Sequence, residues 1–263
     1  DDSFDSTVAR NSLFYLAFSP YAVFFFVGYT ESLFLLLCLA AFLCLQRSYY
    51  WLAGLCGFLA ALTHSQGVLL VVPVAIIILQ RFWLRSGEPI SWRQRLGNFV
   101  PLLLIPMGVV VFMLYLGATK GVPLAFSAAE ARLWNRHLTF PLVSIIMAIQ
   151  TFFHHGTYDL HLLNFLDILF VLVPFAILIV GWKRLPLHYS LFALAMILFN
   201  MSYPQGTVEP LTAAPRYMLV VFPIFIILGE WGKHLYLDRI ITVCSISIFM
   251  LNVLLFVGHY WVA

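Results

Sequence analysis

Charged side chains are scarce in this chain: Asp, Glu, Lys and Arg make up 10% of its 263 residues, against roughly a quarter in a soluble domain. That is too little charge to clothe a surface facing water. The net charge of +3 is small, and the Lys and Arg residues are scattered rather than pooled on one face, which argues against a nucleic-acid partner. Cysteine is also sparse. Cys38, Cys44, Cys56 and Cys244 lie inside apolar runs with no Cys-x-x-Cys spacing, so neither a disulfide framework nor a zinc site follows, and the four are expected to pack as small hydrophobes. There is no Gly-rich phosphate loop of the nucleotide-binding kind. Neither an internal repeat nor a Ser, Gly or Pro-rich linker divides the chain, so residues 1–263 are expected to form a single membrane domain. The chain opens Asp1, Asp2, Ser3 with no Met and no basic leader, and it is expected to be the C-terminal part of a longer one.

Apolar residues are abundant instead. They make up 63% of the chain, with 25 Phe, 12 Tyr and 7 Trp, and the mean hydropathy is +0.98. Such a composition suits a protein whose flanks meet acyl chains and whose rims sit among headgroups. A helix needs about 20 apolar residues to cross the hydrocarbon layer, somewhat fewer inside a bundle. About nine stretches are read as spans on this rule: 13–28, 33–45, 51–62, 68–80, 99–117, 160–181, 187–201, 217–229 and 240–260. The expected fold is therefore all-α, a polytopic transmembrane bundle of about nine helices. Interfacial amphipathic helices are expected in the 118–158 loop.

Alternate loops carry Arg47; Arg81, Arg85, Arg93 and Arg95; Lys183 and Arg184; and Lys233 and Arg239. The positive-inside rule assigns these to the cytoplasm. The intervening loops hold the polar groups that need explaining. Glu31 follows Tyr29 and Thr30 at the mouth of an apolar run, where it either caps the orphan amides of the next helix or faces a polar cavity. His64, Ser65 and Gln66 break two apolar stretches, as a turn requires, with His64 also able to meet an anionic group. Arg216 stands on the side where basic residues are uncommon, either to grip phosphate with its planar fork or to snorkel toward headgroups. His155 and Asp159 share a helical face, but no rigid zinc spacing accompanies them. Asn164 and Asp167 lie one helical turn apart within an apolar run and are expected to face protein or cavity.

Four segments carry a resemblance. They are Ser19-Pro20 through Tyr29-Thr30-Glu31 to Phe34; Thr63-His64-Ser65-Gln66-Gly67; Gly121, Pro123, Leu124, Ala125, Phe126, Trp134, Arg136 and Pro141; and Pro215-Arg216-Tyr217 with the helix after it. In this order they resemble the PIG-V family of multi-pass mannosyltransferases and its bacterial relatives, of the GT-C class of glycosyltransferases. The chain departs from the family at His64, where Arg is usual, and at Val122, where bacterial relatives often have Asp.

The resemblance implies a GT-C-like fold and transfer of mannose, or a related sugar, from a polyprenyl-phosphate donor to a lipid-linked acceptor. The reaction side would be luminal or periplasmic, in the endoplasmic reticulum membrane of a eukaryote or the plasma membrane of a bacterium, with GPI-anchor biosynthesis as the associated eukaryotic process. Arg216 is the expected phosphate-binding residue, with His64, Ser65, Tyr29 and Arg136 as further substrate-binding residues; Glu31 is the catalytic residue among these, in a secondary positioning or acid/base role beside a principal base expected upstream. No metal ligand set and no cofactor is implied, and dependence on a divalent metal stays open. The family's acidic loop after a Trp-Asp type motif has no counterpart in these residues and is expected upstream. A transporter or lipid flippase, and a non-catalytic subunit of a membrane glycosyltransferase, are the competing expectations.

Overall fold

The computed structural model describes residues 5–81, 97, 99–154, 158–207, 209–260 and 262. Among them the structure is all-helical and contains no strand, only one isolated bridge between Arg136 and Gln205. Three helices are long and apolar enough to cross a membrane: Val100–Lys120, Asn164–Arg184 and Leu235–Val257. Each outlasts the roughly 20 residues that the hydrocarbon layer requires. Their flanks carry exposed Leu, Val and Ile side chains such as Leu103, Leu114, Val180 and Leu254, as helices solvated by lipid would.

The chain folds into two compact units. The first comprises Asp1–Glu31, Asn135–Pro186 and Met196–Ala263, and the second Ser32–Trp134 with Leu187–Ala195.

In the first unit, α1 (Ser6–Ala17) is capped by the Asp5 carboxylate, which accepts from Thr7 N–H at 3.4 Å. The expected span over 13–28 is not one helix. It stops at Ala17, and a 3-10 turn, Ala22–Phe25, follows. Pro20 is the physical reason, because it disfavours a helical Ser19 and has no N–H to donate. The freed groups find new partners: Ser19 Oγ donates to Leu16 O at 3.0 Å and Ala22 N–H to Ser19 O at 2.9 Å, while Asn252 Nδ2, from the C-terminal helix, donates to Pro20 O at 2.7 Å.

The expected span over 217–229 is likewise broken, into α10 (Ala214–Met218) and α11 (Pro223–Trp231). Pro223 opens the second helix rather than continuing the first. α11 packs along α1, and α12 (Leu235–Val257) is tied back to α1 by the Tyr15 hydroxyl, which donates to Asp238 Oδ1 at 2.6 Å.

The 118–158 segment does hold two helices, α6 (Ala125–Leu133) and α7 (Pro141–His154). On α7 the buried residues Ser144, Ala148 and Thr151 fall on one face. That face is anchored by Ser144 Oγ donating to Met201 O and by Thr151 Oγ1 donating to Thr207 O at 2.7 Å. α7 packs on α8 (Tyr158–Gly181).

In the second unit, α3 (Tyr50–Thr63) lies along α5 (Val100–Lys120). Small residues let the two backbones approach. A Cβ on Gly54 would meet Pro101 O at 2.6 Å, and one on Gly108 would overlap Phe58 O. This is how membrane helices associate where apolar burial alone gives no preference over lipid. The body of α2 (Glu31–Gln46) and the first residues of α9 (Leu187–Met201) meet through Gln46 Nε2, which donates to the Tyr189 hydroxyl at 2.7 Å. The expected span over 68–80 is realised as a 3-10 turn, Ser65–Leu70, running into α4 (Val71–Leu79).

Candidate functional site

Four of the six residues expected at a site come together within the first unit: Tyr29, Glu31, Arg136 and Arg216. Glu31 opens α2 and is only 3% exposed. The break at Pro20 brings the chain to it through a 3-10 turn instead of a helix, and this turn carries the buried Phe24. Arg216 is presented by α10, a helix preceded by Ala213 in the left-handed region at φ 67°. A left-handed alanine costs about 1–2 kcal/mol. The α10 geometry that places Arg216 is therefore held against a local backbone cost.

Arg216 Nε stands 2.9 Å from Glu31 Oε1, with side-chain exposures of 13% and 4%. The Nε–H is not directed at that oxygen, so the contact is an ion pair rather than an aligned hydrogen bond. The other carboxylate oxygen, Glu31 Oε2, is buried and has no hydrogen-bond partner among the described residues. Three aromatic rings surround the guanidinium: its carbon lies 4.7 Å from the centroid of Tyr29, 4.9 Å from Tyr217 and 5.4 Å from Phe24. Their faces offer a desolvated cation partial replacement for water. Phe24 and Tyr29 are themselves packed edge to face at 5.3 Å.

Arg136 enters from the stretch after α6. Its Nη2 donates to Gln205 Oε1 at 3.1 Å and to Thr212 O at 3.3 Å, while Nη1 donates to the Tyr217 hydroxyl at 3.4 Å. The same hydroxyl accepts from Arg216 Nη2 at 3.1 Å. The loop between Gln205 and Thr212 is braced by Gly206 N–H donating to Asn135 O at 3.2 Å and by Thr212 Oγ1 donating to Glu209 Oε2 at 3.0 Å.

The chain matches no protein-family model, no curated protein and no solved structure. A carboxylate with one oxygen beside a cation and the other bare can accept a proton from a ligand hydroxyl. A guanidinium set among aromatic faces can bind phosphate oxygens.

His64 and Ser65 belong to the second unit. There His64 caps the 3-10 turn, with Nδ1 accepting from Gln66 N–H at 3.4 Å and the His64 backbone N–H donating to Ala60 O at 2.9 Å. Its ring lies 5.5 Å from that of Phe34, and Ser65 is exposed. Gly67 follows because a side chain there would strike the backbone of Ala60 and Ala61. His155 and the side chain of Asp159 lie outside the described residues. Among the described residues no three His, Cys, Asp or Glu side chains are grouped as a metal site.

Sequence reasoning did not assign roles to Phe24, Gln205, Thr212 or Tyr217. Phe24 and Tyr217 stand inside the resembling segments, but nothing in their spacing says that their rings would enclose one cation. It also missed a cavity of about 420 Å³ in the first unit, whose lining is chiefly apolar and includes Pro20, Phe170, Pro174, Pro215, Leu219 and Ile241. Pro215, in its wall, immediately precedes Arg216 in the chain.

Proposed function

We propose that this protein is a multi-pass membrane glycosyltransferase of the PIG-V type. It would move mannose or a related sugar from a polyprenyl-phosphate donor to the hydroxyl of a lipid-linked acceptor on the luminal or periplasmic side. The observation that carries the reading is the buried Glu31–Arg216 pair with one carboxylate oxygen left bare, located at two of the segments that resemble the family.

The chemistry needs both groups. Glu31 Oε2 takes the proton of the acceptor hydroxyl as its oxygen forms a bond to the sugar's anomeric carbon. The bond from that carbon to the donor phosphate oxygen breaks, and the phosphate leaves with the electron pair. Arg216 stabilises the charge that develops on it. The apolar cavity beside Pro215 supports a lipid rather than a water-soluble donor.

The test is transfer of radiolabelled mannose from a polyprenyl-phosphate mannose to a membrane lipid extract, by the protein reconstituted in liposomes. Wild type should label a lipid product, and Glu31→Gln and Arg216→Ala should each reduce the rate at least about a hundredfold, as loss of a general base or a charge stabiliser does. Uptake of labelled lipid phosphate without transfer would replace the enzyme reading with a transporter. Transfer unchanged in both variants would remove their assigned roles.

A further inference from the structure

We infer that Tyr217 is a positioning residue that joins Arg136 and Arg216 into one two-cation site for a phosphate-type oxyanion. The inference rests on the lipid-phosphate reading above and adds the second cation and the group that holds it.

One phenol oxygen accepts from both arginines, Arg216 Nη2 at 3.1 Å and Arg136 Nη1 at 3.4 Å. The ring of the same residue lies under both guanidiniums, with centroid distances of 4.9 Å and 5.9 Å. The donating nitrogens are therefore no farther apart than two hydrogen-bond lengths, although the arginines come from distant parts of the chain. Two like charges this close repel. A shared acceptor and a shared π-face offset that repulsion.

The far side of each cation is held separately. Gln205 Oε1 and Thr212 O hold Nη2 of Arg136, and Glu31 stands against Nε of Arg216. Each guanidinium thus has a partner at Tyr217 and a further partner elsewhere. Paired guanidiniums at this spacing suit an anion with several acceptor oxygens on one centre, which phosphate supplies and a carboxylate supplies less well. Tyr217 acts through the arginines: its hydroxyl is the acceptor they share, and its ring centroid lies within 5.9 Å of both guanidinium carbons.

The experiment measures calorimetric binding of two probes, farnesyl phosphate and uncharged farnesol, to the whole chain in nanodiscs. Wild type should bind the phosphate at least tenfold tighter than the alcohol. Tyr217→Phe keeps the ring and removes the hydroxyl; it should lose about tenfold on farnesyl phosphate, the scale of a charge-assisted hydrogen bond, and nothing on farnesol. Arg136→Ala should show a similar loss in the native background and little further loss when combined with Tyr217→Phe, because the hydroxyl is what delivers Arg136 to the anion.

Losses that multiply in full would show the two acting independently and overturn the inference. So would a Tyr217→Phe protein with undiminished phosphate preference. A variant that weakens on farnesol and farnesyl phosphate alike would show Tyr217 to be a packing residue only, also against the inference. A wild-type protein that does not distinguish the probes would overturn the lipid-phosphate reading itself, and this inference with it.

Discussion

Burial makes Glu31 and Arg216 interdependent. With side-chain exposures of 4% and 13%, neither charge can be left alone cheaply, and removing one partner of such a pair costs about 3–5 kcal/mol. Arg216→Ala should therefore lower stability by about that amount in denaturant titration, while the double variant Glu31→Gln with Arg216→Met should recover most of it. A double variant less stable than either single one would show that the pair is not what holds the segment together. The aromatic faces of Phe24, Tyr29 and Tyr217 would outlast the loss of the side chain they enclose. Free guanidinium at millimolar concentration should then restore farnesyl phosphate binding to Arg216→Ala, and methylammonium, which lacks the planar fork, should not. Ala213 supplies an independent check on backbone strain. Its φ of 67° suits glycine, so Ala213→Gly should raise stability by about 0.5–1 kcal/mol, read as a higher melting temperature.

The long helices were legible from hydropathy alone: 99–117, 160–181 and 240–260 correspond to Val100–Lys120, Tyr158–Gly181 and Leu235–Val257. The expectations failed at 13–28 and 217–229, where continuous apolar character hid a change in backbone geometry. Hydropathy sums side-chain transfer energies and is indifferent to Pro20 and Pro223, whereas the backbone must find new hydrogen-bond partners at each. Proline alone was an ambiguous signal, since Pro106 and Pro174 sit within continuous helices. The α3 and α5 pairing shows the same limit. Glycines at 54 and 108 are visible in the sequence, but only the fold shows that each faces the other helix's backbone. Gly108→Val should cost about 1–3 kcal/mol, as overpacking does, and depress the melting temperature of the whole chain; an unchanged transition would mean that the close approach near Phe58 is not needed.

For the molecule as a whole, three helices with the length and composition to cross a bilayer mark a membrane protein. Whether the chain crosses the membrane several times is tested through the distribution of positive charge. In a variant with its four cysteines replaced, a single cysteine at Thr30 should react with a membrane-impermeant maleimide applied from the non-cytoplasmic side, and one at Arg184 should react only after the membrane is opened. The reverse pattern would invert the orientation argued from the basic loops.

The sequence by itself determined the all-helical, membrane-type class and the long apolar helices, because scarcity of charge and long apolar runs are sums over residues that need no knowledge of contacts. It also singled out Glu31, His64, Ser65 and Arg216 as polar groups in an apolar chain, and Tyr29 and Arg136 through the family resemblance. Only the tertiary structure decided that Tyr29, Glu31, Arg136 and Arg216 share one unit while His64 and Ser65 belong to the other, that Glu31 pairs with Arg216 and keeps an oxygen bare, and that one tyrosine hydroxyl receives both arginines. Those facts depend on angstrom-scale distances between side chains from remote segments, and the bends that set these distances arise where the backbone, not the side-chain hydropathy, governs the course of the chain.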